Sequence, residues 1–315
     1  MRQPGARIHA MSGETMGTSW SILLAAPEPP AGLARQVQGL LDGFAAELSH
    51  WDPASQLSAF NDAPAGRWLS VPSRFYHVVA AAIALARETG GAFDPTIGAL
   101  VDLWGFGPGP APATAPAPTA IEAAQARSGW QRLEMDALGS RLRQPGGLRL
   151  DLSGIAKGLA VDEVAALLDS SGHRAFLVEI GGELLGKGLR PDGLPWWVDI
   201  EAPPASALMP TRVALHGLSI ATSGDYRRYF EEDGARYAHT LDPRSGRPSD
   251  NKLASVTVLH ERCMMADALA TAITVLGPEE GLAFADRMGV AALLIARAGP
   301  IHVELLSKAA AAMAE

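Results

Sequence analysis

Apolar residues recur at helical spacing at Val37, Leu40, Leu41, Phe44 and Leu48, which predicts an amphipathic helix over 33–49. Just before it, Thr18–Ala25 reads as a first strand. A second helix over Arg74–Thr89 is predicted to stop at Gly90-Gly91, a common helix-end signal. Gly107–Thr119 is rich in Pro and Ala; it cannot sustain a helix or a central strand and reads as a stiff exposed loop. Thr119 and Glu122 then fit a capping box that would open a new helix. Further on, strands are expected near 130–135, 140–144 and 147–152, and a helix over 154–170. More strands are expected near 175–180, 196–201, 212–216, 235–241 and 253–260. Helices over 265–277 and 279–288 precede two last strands, 290–297 and 300–305. Many strands follow one another across short turns, so the expected class is α+β with antiparallel or mixed sheets and packed helices.

Composition narrows the function classes. Of 315 residues, 48% are hydrophobic and 19% charged, which suits a folded chain with a sizeable core. Lys and Arg number 26 against 34 Asp and Glu, a net charge of −8, and no basic cluster exists to neutralise a row of phosphates; a nucleic-acid binder is not expected. The single cysteine, Cys263, excludes an intrachain disulfide and a Cys-rich metal site, and reads as a small buried hydrophobe. No apolar run reaches the roughly 18 residues of a membrane span. Residues 1–15 show neither a signal-peptide core nor a Cys for lipidation. The chain as given therefore reads as cytoplasmic, or as periplasmic if its N-terminus was trimmed. The expected organisation is a flexible segment 1–13, a domain 14–305 and a tail 306–315. The domain is one unit, or two intimate subdomains around the 107–119 loop.

Three constellations could carry chemistry. Asp151–Gly158 leads from an apolar strand into a helix, with glycines that let a ligand approach the backbone and with free amides that favour anions; Lys157 could meet a phosphate. The same residues would equally make a plain helix start capped by Ser153. Asp267 and Thr271 stand at i and i+4 on one helix face. A carboxylate plus a hydroxyl suits a hard cation such as Mg2+, but also a helix that merely satisfies its own dipole and backbone. Ser223–Tyr226 and the run Tyr237–Gly246 place His239 beside a turn, where it could act as a general base or sit in a simple hairpin. Gly181-Gly182 would admit a cofactor to the backbone or only form a turn, and Trp51 would stack on a flat ring or merely pack. No His-Glu-x-x-His spacing is present, so a catalytic zinc is not expected.

Taken in order, these segments resemble the ApbE family of FAD:protein FMN transferases. The carrying residues are Met16-Gly-Thr18, Trp51–Ser58 with Phe60-Asn61, Gly91–Thr96, Leu103–Gly107, Asp151–Gly158, Val178–Glu183, Thr222–Tyr226, His239–Pro243 and Ala266–Thr271. The resemblance implies an α+β fold with FAD in a cleft and Mg2+-dependent transfer of FMN from FAD to a Ser or Thr hydroxyl, releasing AMP. The implied partner is an acceptor flavoprotein with an Asp-x-x-Ser/Thr-Gly-Ala-Ser/Thr-like site. By matching position it implies FAD contacts at Met16, Trp51, Ala92, Phe93, Asp94, Asp151, Lys157 and Leu241, with Gly181-Gly182 as a place of close approach. It implies a metal held by the Gly154 carbonyl, Asp267 and Thr271. Ala270 stands where some members carry a hydroxyl, so a fourth protein ligand is not expected there. His239 is the proposed base, with Asp242 and Asp94 as alternatives; Lys157 and Asp267 complete the catalytic set. An FAD pyrophosphatase giving FMN and AMP, or a non-enzymatic FAD-binding protein, would use the same contacts.

Overall fold

The computed structural model describes residues 5–110, 112, 114–204, 206–232 and 234–314. Its backbone is one eight-stranded sheet: β1 (Arg7–Thr15), β2 (Thr18–Ala26), β3 (Phe176–Ile180), β4 (Glu183–Lys187), β5 (Leu218–Gly224), β6 (Leu253–His260), β7 (Ala291–Ala298) and β8 (Ile301–Leu306). Each strand pairs antiparallel with the next in the chain. The order is a meander into which long excursions are inserted, the largest between β2 and β3. That excursion carries helices α1 (Leu33–Leu48), α2 (Gln56–Asn61), α3 (Ser73–Glu88), α4 (Gly98–Leu103), α5 (Pro118–Gln125) and α6 (Ala156–Ser170). Helix α7 (Cys263–Met288) links β6 to β7, and α8 (Lys308–Ala314) ends the chain.

The first half of helix α7, up to Gly277, is mostly buried, while its end turns Glu279, Glu280 and Arg287 to solvent. It lies with α6 on one face of the sheet, in the main core with Ile22, Leu24, Val178 and Val256. The other face is covered by the hairpin 196–199/212–215, where Trp196 and Leu215 pack on Ile220 and Leu293. A third cluster around Trp104 and Leu241 ties α4 to the turn after His239. There the Trp104 indole donates to the Gly246 carbonyl at 2.8 Å.

The α6–α7 contact depends on a glycine. A Cβ on Gly158 would stand 2.2 Å from the Cys263 carbonyl oxygen and 2.8 Å from Met264 Cα. Asp162 of α6 accepts from the Cys263 and Met264 amides at 2.8 and 3.0 Å, so one helix caps the other. Gly158→Ala is therefore expected to cost about 3 kcal/mol, the upper end for overpacking, since backbone must move. Chemical denaturation of the variant checks this; an unchanged midpoint would refute it.

Several expected elements differ. The segment 1–13 is not flexible throughout: from Arg7 it forms β1, an edge strand whose polar and small residues hide its alternation. Residues 1–4 lie outside the described part, as do 111 and 113 of the Pro/Ala loop. The tail 306–315 is largely α8. The capping box does not form, because α5 already starts at Pro118, whose fixed φ suits a first helical position, and Ala117 at the cap makes no side-chain bond. Residues 147–152 make only one isolated bridge, Arg149 to Ile97. In place of a strand neighbour, the Asn61 amide both accepts from Leu150 N–H (2.7 Å) and donates to Leu150 C=O (3.0 Å). The two helices expected over 265–288 are joined, with a break at Gly277 (φ 84°) before Pro278.

Candidate active site

The FAD-contact and metal positions implied by the resemblance, together with His239, line one open cavity of about 810 Å³. That is room for a ligand at the large end of small-molecule sites. Met16 reaches it from the β1–β2 hairpin. Both residues of that two-residue turn have positive φ, Met16 at 48° and Gly17 at 72°. Left-handed backbone is unusual for Met, and such strain is characteristic of sites where a side chain must be aimed.

The Ala92–Thr96 loop is fixed by its own aspartate. Asp94 Oδ1 accepts from the Thr96 amide and hydroxyl at 2.8 and 2.6 Å, and Oδ2 accepts from Trp130 N–H at 3.1 Å. Burial raises this carboxyl above the usual range, and the three donors oppose that rise. With both oxygens so engaged, Asp94 shapes the wall and is poorly placed to accept a further proton. Asp242 does not line the cavity; it holds Arg244 through paired bonds of 2.9 and 3.0 Å. Of the three carboxylate or imidazole candidates for a base, the geometry favours His239.

His239 lies just after the hairpin 229–232/235–238, half-buried. Its amide N–H and its Nδ1 both meet the Arg228 carbonyl at 3.1 Å. A carbonyl only accepts, so Nδ1 carries the hydrogen and Nε2 is left with its lone pair. Burial lowers the imidazole pKa, as do the nearby cations Arg228 and Lys157, while the Arg228 carbonyl opposes them. The shift favours the neutral ring, whose Nε2 can take a proton.

Deeper in, Asp151 makes a tight turn, its Oδ1 accepting from the Ser153 amide at 2.7 Å and hydroxyl at 2.5 Å. Ser153 thus donates to Asp151 and does not cap α6, whose first turn carries Lys157. Asp267 is 4% exposed. Its Oδ2 accepts from Gly158 N–H at 3.0 Å, while Oδ1 has no hydrogen bond among the described residues. Burial raises this carboxyl, with Lys157 and the Gly158 amide opposing. Thr271 Oγ1 is 3.3 Å from Ser223 Oγ, and a Cβ on Gly154 would come within 3.0 Å of Thr271 Oγ1. The Gly154 backbone is therefore packed directly onto the Thr271 hydroxyl. No group of three or more His, Cys, Asp or Glu side chains suited to a metal occurs among the described residues. The donors here are one carboxylate, one hydroxyl and one carbonyl, a set that fits a hard cation keeping part of its water, such as Mg2+.

Three cavity residues carried no sequence signal of their own. His50 packs beside Trp51 (ring centroids 5.4 Å apart) with Nδ1 4.0 Å from Asp151 Oδ1. Arg228 lays its guanidinium over Trp51 and Phe106, 5.3 and 5.7 Å from the ring centres, so its side chain spans the mouth while its carbonyl orients His239. Glu183, read only as the end of a motif, is almost fully buried against Lys157. Asp225, inside another motif, pairs bidentately with Arg297 of β7 at 2.6 and 2.7 Å and so anchors the loop after β5. Cys263 is fully buried, and burial pushes its thiol well up, as expected of an inert core residue.

The comparisons with known proteins agree with this architecture. The ApbE family profile matches residues 16–294. A protein of Vibrio cholerae named FAD:protein FMN transferase is 40% identical over 300 residues, covering 94% of this chain and 89% of its own length. One of the same name from Klebsiella pneumoniae is 37% identical over 302 residues, covering 94% and 86%. The crystal structure of the Pseudomonas stutzeri flavinyl transferase ApbE in its apo form superposes with a TM-score of 0.90 at 42% identity, covering 96% of each chain. No helix among the described residues is long and apolar enough to cross a membrane. With a profile match across most of its length and relatives this similar, the chain belongs to the ApbE family.

Proposed function

We propose that this chain is an FAD:protein FMN transferase, moving FMN from FAD to a Ser or Thr hydroxyl of an acceptor protein and releasing AMP. The carrying observation is that one cavity holds His239 with Nδ1 committed to a carbonyl and Nε2 free, the cation Lys157, and the residues Gly154, Asp267 and Thr271. In the reaction the acceptor Oγ attacks the phosphorus on the FMN side of the pyrophosphate. Its proton passes to His239 Nε2, the P–O bond to AMP breaks, and a phosphoester to the acceptor forms. Lys157 and the amides that open α6 stabilise negative charge on the phosphates. Trp51 and Met16, at the cavity's edge, are the flavin contacts, and Asp94 and Asp151 hold the loops that shape the nucleotide cleft. Gly154, Asp267 and Thr271 would hold Mg2+, which when bound supplies Lewis-acid neutralisation of phosphate charge.

The test is to incubate the chain with FAD, Mg2+ and an acceptor bearing an Asp-x-x-Ser/Thr-Gly-Ala-Ser/Thr site, then read flavin fluorescence on the denatured acceptor. Controls add chelator or replace the acceptor Thr by Ala. Labelling that needs both metal and hydroxyl is the expected result. AMP release without labelling would make the protein a pyrophosphatase, and bound FAD with neither signal would make it a carrier.

A further inference from the structure

Lys157 is not free in the cavity wall. Its stem runs along Gly181, where a Cβ would come within 3.4 Å of Lys157 Cδ and 3.0 Å of Thr18 Cγ2. Its ammonium donates to Oε1 of Glu183, the first residue of β4. Two left-handed glycines, Gly181 (φ 59°) and Gly182 (φ 98°), turn the chain so that Glu183 pairs with Ile180 across the β3–β4 hairpin. The Glu183 side chain is 3% exposed, and its Oε2 is buried with no hydrogen-bond partner. Burial pushes this carboxyl up to about 7, against the pull of Lys157, and the charge of Asp267 adds to the rise.

Such an arrangement is a poor stabiliser of a fold. A buried ion pair generally gains little over an apolar pair of the same size, and here one carboxylate oxygen is left unsatisfied. What it does provide is placement. A free lysine loses rotamer entropy when its head is fixed. Glu183 and Gly181 fix head and stem before any ligand arrives. The neighbouring Asp267 carboxylate, close enough to act on both partners, would otherwise compete for the ammonium.

We infer that Glu183 is a positioning residue for the transfer reaction, acting through Lys157 by holding its ammonium at one point of the wall that faces the pyrophosphate. This rests on the role given to Lys157 above.

A double-mutant cycle tests it, using the full chain with FAD, Mg2+ and acceptor. Wild type, Lys157→Met, Glu183→Gln and the double variant are compared for kcat, for KM of FAD and for melting temperature. Glu183→Gln is expected to lower kcat at least 10-fold, with KM for FAD changed less than about 3-fold. The melting temperature should fall as well, because Lys157 loses its paired counter-charge, so the kcat-against-KM split and the cycle carry the test. In the Lys157→Met background the same substitution should change kcat less than about 2-fold, because a residue acting through Lys157 has nothing left to position. Glu183→Asp, which withdraws the carboxylate by one methylene, should fall between wild type and Gln, and it keeps the test open if the Gln variant folds poorly. Wild-type kcat in Glu183→Gln overturns the inference, as does an equal fold-loss in both backgrounds. Wild-type turnover by Lys157→Met alone would remove the role of Lys157 and the inference with it, an outcome distinct from the other two.

Discussion

Replacing His239 by Ala is expected to lower the rate of flavin transfer by about 10²–10⁴-fold, the usual contribution of a positioned general base. FAD affinity should remain near wild type, because the substitution removes no phosphate contact. The reasoning lies in the ring's two nitrogens. Nδ1 is committed to the Arg228 carbonyl at 3.1 Å, so the lone pair is on Nε2. An Asn at the same place would keep a hydrogen bond but no base, and should be nearly as impaired. The pH profile follows with a definite sign. The folded-state pKa is depressed, chiefly by burial and further by Arg228 and Lys157. The active neutral form therefore persists below the ordinary imidazole range of about 6.5. The acid limb of kcat should lie on the acid side of that value and vanish in His239→Ala. Single-turnover labelling of a saturating acceptor across pH 5–8 measures both; wild-type turnover by the variant would assign the proton to another group.

The sequence made the cavity legible one piece at a time. Gly154, Asp267, Thr271 and Lys157 come from two helix starts, α6 and α7, and helix starts carry strong local signals in Gly, Ser and Asp spacing. Met16, Trp51 and Ala92–Asp94 come from turns, which also punctuate a sequence visibly. That all of them face one cavity depends on long-range pairing that no local pattern encodes. Asn61 shows why. It was legible as part of a motif, yet its work is to imitate a strand edge for Leu150, 89 residues away in sequence. The expected strand at 147–152 failed for that reason. Glu183 and Arg228 were illegible as site residues because their meaning is a partner: Lys157 on helix α6 in one case, the His239 ring in the other. Strand β1 was missed because an edge strand with one half-solvated face needs little apolar alternation.

Asp267→Asn is expected to cost two orders of magnitude or more in metal-dependent turnover while leaving the fold intact. Asp267 is the one carboxylate of the oxygen set it forms with Thr271 and Gly154, and a hard divalent cation binds chiefly through charge. Asn keeps the oxygen that accepts from Gly158 N–H at 3.0 Å, so the α6–α7 junction should survive. Burial in fact disfavours the charged aspartate, and the Lys157 ammonium that opposes this is already paired with Glu183. Removing that charge should leave the melting temperature without metal unchanged or higher. Stability and activity would then move apart at one residue, as expected where a fold carries a cost for the sake of a ligand. In wild type, added Mg2+ should raise the melting temperature by mass action, and in Asp267→Asn that rise should disappear. Thr271→Val tests the same site through its weaker donor and should raise the Mg2+ concentration needed for half-maximal turnover more than it lowers the maximum. An Asp267→Asn protein that still melts higher with Mg2+ and labels acceptor at the wild-type rate would place the cation elsewhere in the cavity.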